Sequence, residues 1–264
     1  MSFGDAFQKI IDHPEKHKEA VLYSDEHVVI IKDLFPKATR HLLVIPRNAK
    51  YTHQHPLEVF NKHYGETTGE ELYEQMGGYV EKAKNIIVED LKDKLDLRNK
   101  AKDDDGEQAL QKFRNKHIQA GVHSIPSLSN LHIHVITQDF HSPKLKNKKH
   151  YNSFTTKFFV PFEELNPFFN EGYYKLAHER SGNAASGSET ASDQESDPGR
   201  PAFVRHVRNS ATLESTIKNC PFKCMFCRQT FGNSMVKLKS HLKDEFVKVY
   251  GELGDVTRLE PNKF

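Results

Sequence analysis

Asn130-Leu131-His132-Ile133-His134-Val135-Ile136 alternates polar with apolar side chains through its first six positions. Residues two apart in a β-strand point to the same side, so the asparagine and both histidines share one face, while the residues between them point into a core. Two imidazoles on one face indicate a chemical site. The alternative is a pair of strand histidines with ordinary structural contacts, because so short a motif is weak by itself.

A loop upstream of this strand supplies further polar groups. Residues 121–127 read Gly-Val-His-Ser-Ile-Pro-Ser, and they add the His123 imidazole, the Ser127 hydroxyl and several backbone N–H groups beside the start of the strand. Imidazoles, a hydroxyl and oriented amides are the groups that a transferring phosphoryl group needs.

The stretch from Asn130 to Ile136 resembles the histidine triad signature, His-φ-His-φ-His-φ-φ, with Asn130 at the position of the first histidine. Together with residues 123–127 and 138–150, it is similar to the aprataxin branch of the histidine triad superfamily. The resemblance implies an α+β histidine triad fold, with an antiparallel sheet and flanking helices. It also implies a hydrolase that removes 5′-AMP from the DNA ends left by abortive ligation.

The same resemblance implies a role for each polar residue of the strand and its loop. His132, at the middle position, would attack the α-phosphorus and form a covalent AMP-histidine intermediate. His134 would bind the non-bridging phosphate oxygens, and His123 would protonate the leaving DNA 5′-phosphate. Ser127 would help to fix the phosphate, and Asn130 would orient its neighbours through its amide.

Residues 28–37, followed by residues 41–46, are typical of two strands joined by a Pro-containing turn, which predicts a β-hairpin. In histidine triad proteins this hairpin carries the nucleotide pocket. By that resemblance Asp33 would bind the ribose hydroxyls, Leu34 would line the base pocket and Lys37 would approach phosphate. Ordinary turn chemistry is the alternative for Asp33. We interpret His41 as a structural hydrogen-bonding residue rather than a catalyst.

Length and composition limit the number of domains and the class of protein. The 264 residues allow one moderate domain and a smaller module, and 36% hydrophobic with 28% charged residues describe a polar, soluble protein. No apolar run approaches the ~20 residues that span a bilayer, and the N-terminus lacks a basic segment followed by an apolar one. We expect an intracellular protein with no membrane partner; the implied DNA substrate places it in the nucleus, with the cytoplasm as a second location.

The net charge of +2 is too small to indicate nucleic-acid binding, but its distribution is informative. Lys144, Lys146, Lys148 and Lys149 cluster just after the histidine strand, which indicates a basic DNA-binding patch or, alternatively, a solvated lysine loop. Residues 3–11 predict a short amphipathic helix. In aprataxins a similar helix wedges an aromatic residue against the terminal base, and Phe3 is the candidate for that position.

The sequence predicts that the chain consists of three segments. Residues 1–175 are predicted to form the catalytic domain, 176–200 a flexible linker poor in residues that bury surface, and 201–264 a zinc-finger DNA-binding module. Within the first segment, residues 56–75 and 78–95 are helix-like. Residues 96–107 are predicted to form a polar surface excursion.

The second module contains a metal-ligand pattern. Cys224 and Cys227 form a Cys-x-x-Cys turn, and His241 and Glu245 lie four apart on a predicted helix, which suits tetrahedral zinc. Fungal aprataxins resemble this Cys-Cys-His-Glu arrangement; Cys220 is the competing fourth ligand. The zinc would be structural, the chemistry would require no catalytic metal, and Lys239 on the helix would engage DNA phosphate.

These observations favour a DNA 5′-adenylate hydrolase acting on nicked or adenylated double-stranded DNA, with AMP as product and other DNA-repair proteins as further partners. Two alternatives stay open. One is a DNA-end binding nucleotide sensor with little turnover. The other is a general adenosine phosphoramidate or dinucleotide polyphosphate hydrolase, which the finger and the lysine patch disfavour.

Overall fold

The structure, a computed structural model, describes residues 6–92, 106–167 and 209–250. Phe3, the predicted linker at 176–200 and most of the predicted excursion at 96–107 lie outside these residues. The three predicted segment boundaries therefore stay predictions. No helix in the described part of the chain is long and apolar enough to cross a membrane.

The main sheet has six strands, all paired antiparallel: β1 Val21–Ser24, β2 Val28–Lys32, β3 His41–Pro46, β6 Ile118–His123, β7 Ile133–Thr137 and β8 Phe159–Pro161. Their spatial order is β1-β2-β3-β7-β6-β8. The predicted hairpin is confirmed, since β2 pairs with β3 from Val28 opposite Pro46 to Lys32 opposite Leu42. Two short strands, β4 His63–Tyr64 and β5 Thr67–Thr68, form a separate pair.

Seven helices lie within the described residues: α1 Gln8–Asp12, α2 Ala49–Thr52, α3 Gly69–Leu91, α4 Gly106–His117, α5 Lys148–Thr155, α6 Ser210–Asn219 and α7 Met235–Tyr250. Three short 3-10 turns cover Pro14–Lys16, Val59–Asn61 and Phe162–Leu165. The α+β class and the antiparallel sheet with flanking helices are therefore as predicted.

The prediction of two helices between residues 56 and 95 was wrong, because α3 is one continuous helix that begins at Gly69. A capping box fixes its start: Thr68 Oγ1 accepts from the Glu71 N–H, and the Glu71 carboxylate accepts from the Thr68 N–H. Glycine is required at position 69, since a Cβ there would lie 2.0 Å from the Phe60 carbonyl oxygen. Between residue 56 and Thr68 the chain consequently forms turns, the 3-10 turn Val59–Asn61 and the short strands β4 and β5.

The two faces of the sheet have different coverings. Val28, Ile30, Val44, Ile133 and Val135 are fully buried in the large core beneath α3 and α4. On the other face, α1 packs its apolar residues onto alternate residues of β2 and β3, namely Val29, Ile31, Leu43 and Ile45. Leu43 is paired with His134 across β3 and β7. The histidines and α1 therefore lie on the same side of the sheet.

The finger consists of the hairpin β9 Phe222–Lys223 and β10 Thr230–Gly232 followed by α7. It packs directly on the first domain, because Phe222, Leu238 and Leu242 are buried in the same cluster as Phe140 and Tyr151. Hydrogen bonds reinforce this junction: the Tyr151 hydroxyl donates to the Lys223 carbonyl at 3.0 Å, and the Asn152 amide donates to the Cys220 carbonyl at 2.9 Å.

Candidate active site and metal centre

Four histidines converge on one face of the central strands. His134 lies within β7, His132 just before it, His123 at the end of β6 and His41 at the start of β3. The ring centroid of His134 is 4.9 Å from that of His132, 4.5 Å from that of His123 and 5.1 Å from that of His41. The prediction that His132 and His134 share one face is confirmed.

A glycine on β6 lets β8 pack closely beside this cluster. Gly121 on β6 is paired with His134, and a Cβ at Gly121 would lie 2.2 Å from the Val160 carbonyl oxygen and 2.8 Å from the Phe159 ring. Any side chain would separate β6 from β8. The tight packing there fixes the end of β6, and with it the position of His123.

The hydrogen bond of His132 determines which of its nitrogens is free. His132 Nδ1 lies 2.7 Å from the backbone carbonyl oxygen of Asn130, and a carbonyl only accepts, so Nδ1 carries the proton. Burial lowers the pKa of His132, although the Asn130 carbonyl opposes the shift. The ring is therefore neutral near pH 7, and its Nε2 presents an unprotonated lone pair.

A second hydrogen-bond chain orients His134. The Lys37 backbone N–H donates to His41 Nδ1 at 3.3 Å, which leaves the proton of a neutral His41 on Nε2. His41 Nε2 lies 2.9 Å from His134 Nδ1 and donates to it, so the His134 proton is on Nε2. That Nε2 is buried and has no hydrogen-bond partner among the described residues. His134 therefore presents a free N–H donor.

The environment keeps these rings uncharged. Burial lowers the pKa of His41 to about 4, while the Asp33 carboxylate, 3.4 Å from His41 Nδ1, opposes the shift. Burial lowers the pKa of His134 well below its ordinary value. A neutral donor such as the His134 N–H can hydrogen-bond an anionic oxygen, and a bound anion would raise the histidine pKa values again.

His123 faces the same space from β6. Its ring packs against Phe154 at 4.8 Å and Phe158 at 5.2 Å, and its Nε2 is buried without a hydrogen-bond partner among the described residues. Burial, followed by the neighbouring His132, lowers the pKa of His123 to about 3. Without a bound anion His123 is neutral; a phosphate beside it would favour the protonated form.

Asn130 connects the site to the N-terminal helix. Its side chain is 1% exposed, and its Nδ2 donates to Gln8 Oε1 on α1 at 3.3 Å. One residue earlier, the Phe7 ring contacts the His132 ring edge-on, with centroids 5.5 Å apart. The sequence prediction missed Phe7 and Gln8. The amphipathic pattern places α1 on a core but does not indicate which part of the core.

The segment from Asp33 to Arg40, here called the nucleotide loop, has a buried end and an exposed end. Asp33 contacts His41, as described, and the Lys37 ammonium group hydrogen-bonds the Phe35 carbonyl. Leu34 is 79% exposed and Phe35 56% exposed, so neither side chain is enclosed in a pocket. Ser127 is also exposed, in the loop before β7.

The predicted DNA-binding lysines are exposed: Lys144, Lys146, Lys149 and, on α7, Lys239. Lys144 lies near the nucleotide loop, since its Nζ and that of Lys37 are each 5.9 Å from the centroid of the Phe35 ring. Lys148, in the same run, has a different role. It donates to the Asn219 carbonyl and the Asn233 side chain, and so ties α5 to the finger.

The finger brings predicted metal ligands together. The ligand atoms of Cys224, Cys227 and His241 all lie within 4.8 Å of one another, and Cys227 Sγ is 3.3 Å from His241 Nε2. Tetrahedral zinc, with bonds of about 2.0 to 2.3 Å, spans such separations. Glu245 Oε1 lies 3.9 Å from His241 Nε2, whereas Cys220 is not a member of this group. The residues fit a structural zinc; Glu245 as fourth ligand stays a prediction.

A second group within the described residues has metal-ligand character. One ligand atom each of Asp33, His41 and His134 lies within 4.8 Å of the others. Hydrogen bonding and the contact of Asp33 with His41 already explain this proximity. That the chemistry needs no catalytic metal stays a prediction.

Family comparisons agree with both parts of the structure. Residues 4–150 match the family described as scavenger mRNA decapping enzyme C-term binding, and residues 155–248 match the C2HE / C2H2 / C2HC zinc-binding finger. The fold and site thus define a histidine triad nucleotide hydrolase domain joined to a zinc finger.

Individual relatives narrow the class. An aprataxin-like protein of Saccharomyces cerevisiae is 32% identical over 253 residues, covering 93% of this chain and 97% of the relative. An aprataxin-like protein of Schizosaccharomyces pombe is 31% identical, covering 93% and 82%. The crystal structure of aprataxin ortholog Hnt3 in complex with DNA is similar with a TM-score of 0.60 and 29% identity, covering 97% of this chain and 100% of that chain. The chain belongs to the aprataxin family of DNA-repair proteins.

Proposed function

We propose that this protein hydrolyses the 5′-adenylate of abortive DNA ligation intermediates through a covalent AMP-histidine intermediate. The observation that carries the proposal is the paired orientation of His132 and His134. His132 presents a lone pair and His134 presents an N–H donor on the same face of the sheet. A nucleophile beside a donor for anionic oxygen is the minimum that phosphoryl transfer requires.

In the first step, His132 Nε2 attacks the α-phosphorus of the adenylate. A P–N bond forms, and the P–O bond to the DNA 5′-phosphate breaks. The Asn130 carbonyl stabilises the positive charge that develops on the His132 ring, and the His134 N–H binds a non-bridging oxygen. His123, protonated when phosphate is bound, donates its proton to the leaving DNA 5′-phosphate.

In the second step, water attacks the same phosphorus and the P–N bond breaks. The water proton goes to His123, which became neutral in the first step and so returns to its protonated state. AMP leaves, His132 regains its Nε2 lone pair, and the DNA carries a 5′-phosphate that a ligase can use. Ser127 would help to fix the phosphate, and Lys37 would approach it.

DNA as the partner is supported by the exposed lysines near the site and on the finger helix. Lysines at such positions bind phosphate and give affinity without base specificity. The similar Hnt3 structure, all of which is covered by the match to this chain, is a complex with DNA. We place the protein in the nucleus on the basis of this substrate, and fluorescence microscopy of the tagged protein tests that location.

The test uses nicked duplex DNA carrying 5′-AMP, with wild type, His132→Ala and His27→Ala. His27 lies in the β1–β2 turn, and its side chain is 45% exposed and contacts Glu26, so it serves as a matched control. We expect wild type and His27→Ala to release AMP and leave a ligatable end, and His132→Ala to do neither. Tight DNA binding without AMP release by wild type would indicate the sensor instead. Equal catalytic efficiency on free adenosine 5′-phosphoramidate would indicate a general hydrolase.

A further inference from the structure

Asp139 is a buried carboxylate that joins the nucleotide loop to the finger helix. It is 6% exposed, and its Oδ1 accepts from the Thr39 N–H at 3.0 Å, the Thr39 hydroxyl at 2.8 Å and the His141 N–H at 2.8 Å. Its Oδ2 accepts from the Tyr250 hydroxyl at 2.9 Å. A buried carboxylate needs such partners, because an unpaired charge in the interior is costly.

Tyr250 enters this network from the finger. It lies at the end of α7, is 1% exposed and stacks on Phe246 with ring centroids 4.4 Å apart. Phe246 in turn stacks on the His141 ring at 4.3 Å. The end of the finger helix thus holds Asp139 through a hydroxyl and holds the adjacent residues through aromatic contacts.

The other end of the network is the nucleotide loop. Thr39, held twice by Asp139, lies two residues from Lys37 and two from His41. The Lys37 N–H and His41 form the chain that places the His134 proton. A shift at Thr39 therefore moves the groups on which the orientation of His134 depends.

We infer that Tyr250 is a positioning residue for the hydrolysis, acting through Asp139 on the nucleotide loop. The finger then has a role besides holding DNA, namely to brace the loop of the catalytic domain. This inference rests on the proposed function. A finger that only bound DNA would not affect hydrolysis of a substrate that lacks DNA. A finger that braces the loop would affect it, so the two roles can be distinguished by measurement.

The experiment compares Tyr250→Phe with Tyr151→Phe in the full chain. Each variant removes one buried hydroxyl at the junction of finger and domain, but Tyr151 donates to Lys223 and does not contact Asp139. For adenosine 5′-phosphoramidate, we expect kcat to fall about 5- to 50-fold in Tyr250→Phe, since small displacements near reacting groups are costly, and to change less than about twofold in Tyr151→Phe. Zinc content and affinity for unadenylated nicked DNA should be unchanged in both.

Each outcome has one reading. A kcat equal to that of wild type in a folded Tyr250→Phe, or an equal loss in Tyr151→Phe, overturns the inference. Release of AMP from adenylated DNA by wild type upholds the proposed function in either case. A wild type inactive on both the phosphoramidate and adenylated DNA overturns the proposed function itself. If Tyr250→Phe fails to fold, Thr39→Val tests the same link from the loop. It removes the hydroxyl donor to Asp139, and it must lower kcat for the phosphoramidate or the inference is wrong.

Discussion

His41 Nε2 lies 2.9 Å from His134 Nδ1, and this hydrogen bond determines which nitrogen of His134 carries its proton. Because His41 Nδ1 accepts from the Lys37 N–H, the chain runs in one direction, from backbone to His41 to His134. The result is a buried N–H donor beside the His132 lone pair. His41 is thus a hydrogen-bonding residue with a specific consequence for catalysis.

Replacing His41 tests this chain. His41→Phe keeps an aromatic ring but removes the donor to His134, so we expect kcat on adenylated DNA to fall about 10²-fold or more. His41→Gln retains an amide N–H and should recover part of the loss. Steady-state kinetics at saturating substrate, with thermal unfolding of each variant, measure both effects. A folded His41→Phe with nearly wild-type kcat would show that the orientation of His134 does not depend on His41.

Stability should fall in acid because of the same buried histidines. The folded-state pKa of His41 is about 4, below the ~6.5 of an unfolded histidine, so the unfolded chain binds the extra proton between those values. The free energy of unfolding is therefore independent of this group above pH ~6.5, and it falls by up to about 1.4 kcal/mol per pH unit as the pH drops towards 4.

Urea unfolding measured between pH ~7 and ~5 checks the acid effect. His132 and His134 shift in the same direction and should add to the slope. In His41→Phe the fall with acid should be shallower than in wild type. An unchanged slope in that variant would mean that His41 is not a source of the acid sensitivity.

The fourth zinc ligand can be assigned by substitution. We expect Glu245→Ala to weaken zinc binding by at least about 10-fold and Cys220→Ala to leave it unchanged. Lys248→Ala is the matched control, because Lys248 pairs with the Glu245 carboxylate at 2.7 Å but offers no ligand near His241. Competition with a chromogenic chelator measures the affinity. Zinc retained in Glu245→Ala and lost in Cys220→Ala would reverse the assignment.

The exposed lysines should contribute to DNA affinity through phosphate. Lys144→Ala and Lys239→Ala should each weaken binding to nicked duplex and reduce the slope of log K against log salt by about 1. Lys112→Ala is the control, because α4 covers the sheet face opposite the histidines. Fluorescence anisotropy over a salt series gives the slopes. Equal slopes for all three variants would remove these lysines from the DNA interface.

The parts of the fold that could be predicted from sequence are those with a strong local pattern, either a periodic alternation or a ligand spacing. Alternation in residues 130–136 predicted the strand and the shared face of His132 and His134, and Cys-x-x-Cys with a helical His predicted the finger. The start of α3 was missed, because the close approach of Gly69 to the Phe60 carbonyl joins segments that carry no common pattern. Contacts between distant parts of the chain decide such boundaries.

Long-range contacts also explain what the site prediction omitted. Gln8 reaches Asn130 and Tyr250 reaches Asp139 across 122 and 111 positions of the chain. Neither pair belongs to a local motif, so one sequence contains no signal that joins them. His41 was recognised as a hydrogen-bonding residue, but its partner, His134, became clear only from the pairing of β3 with β7.

A covalent adduct on His132 tests the proposed chemistry most directly. Wild type and His132→Ala are mixed with nicked DNA carrying 5′-AMP in a single turnover, quenched at alkaline pH because phosphoramidates are labile in acid, and analysed by intact-protein and peptide mass spectrometry. We predict one adenylyl group on wild type, mapped to His132, and none on the variant. An adenylyl adduct that persists in His132→Ala, or AMP release by that variant at the wild-type rate, would contradict His132 as the nucleophile.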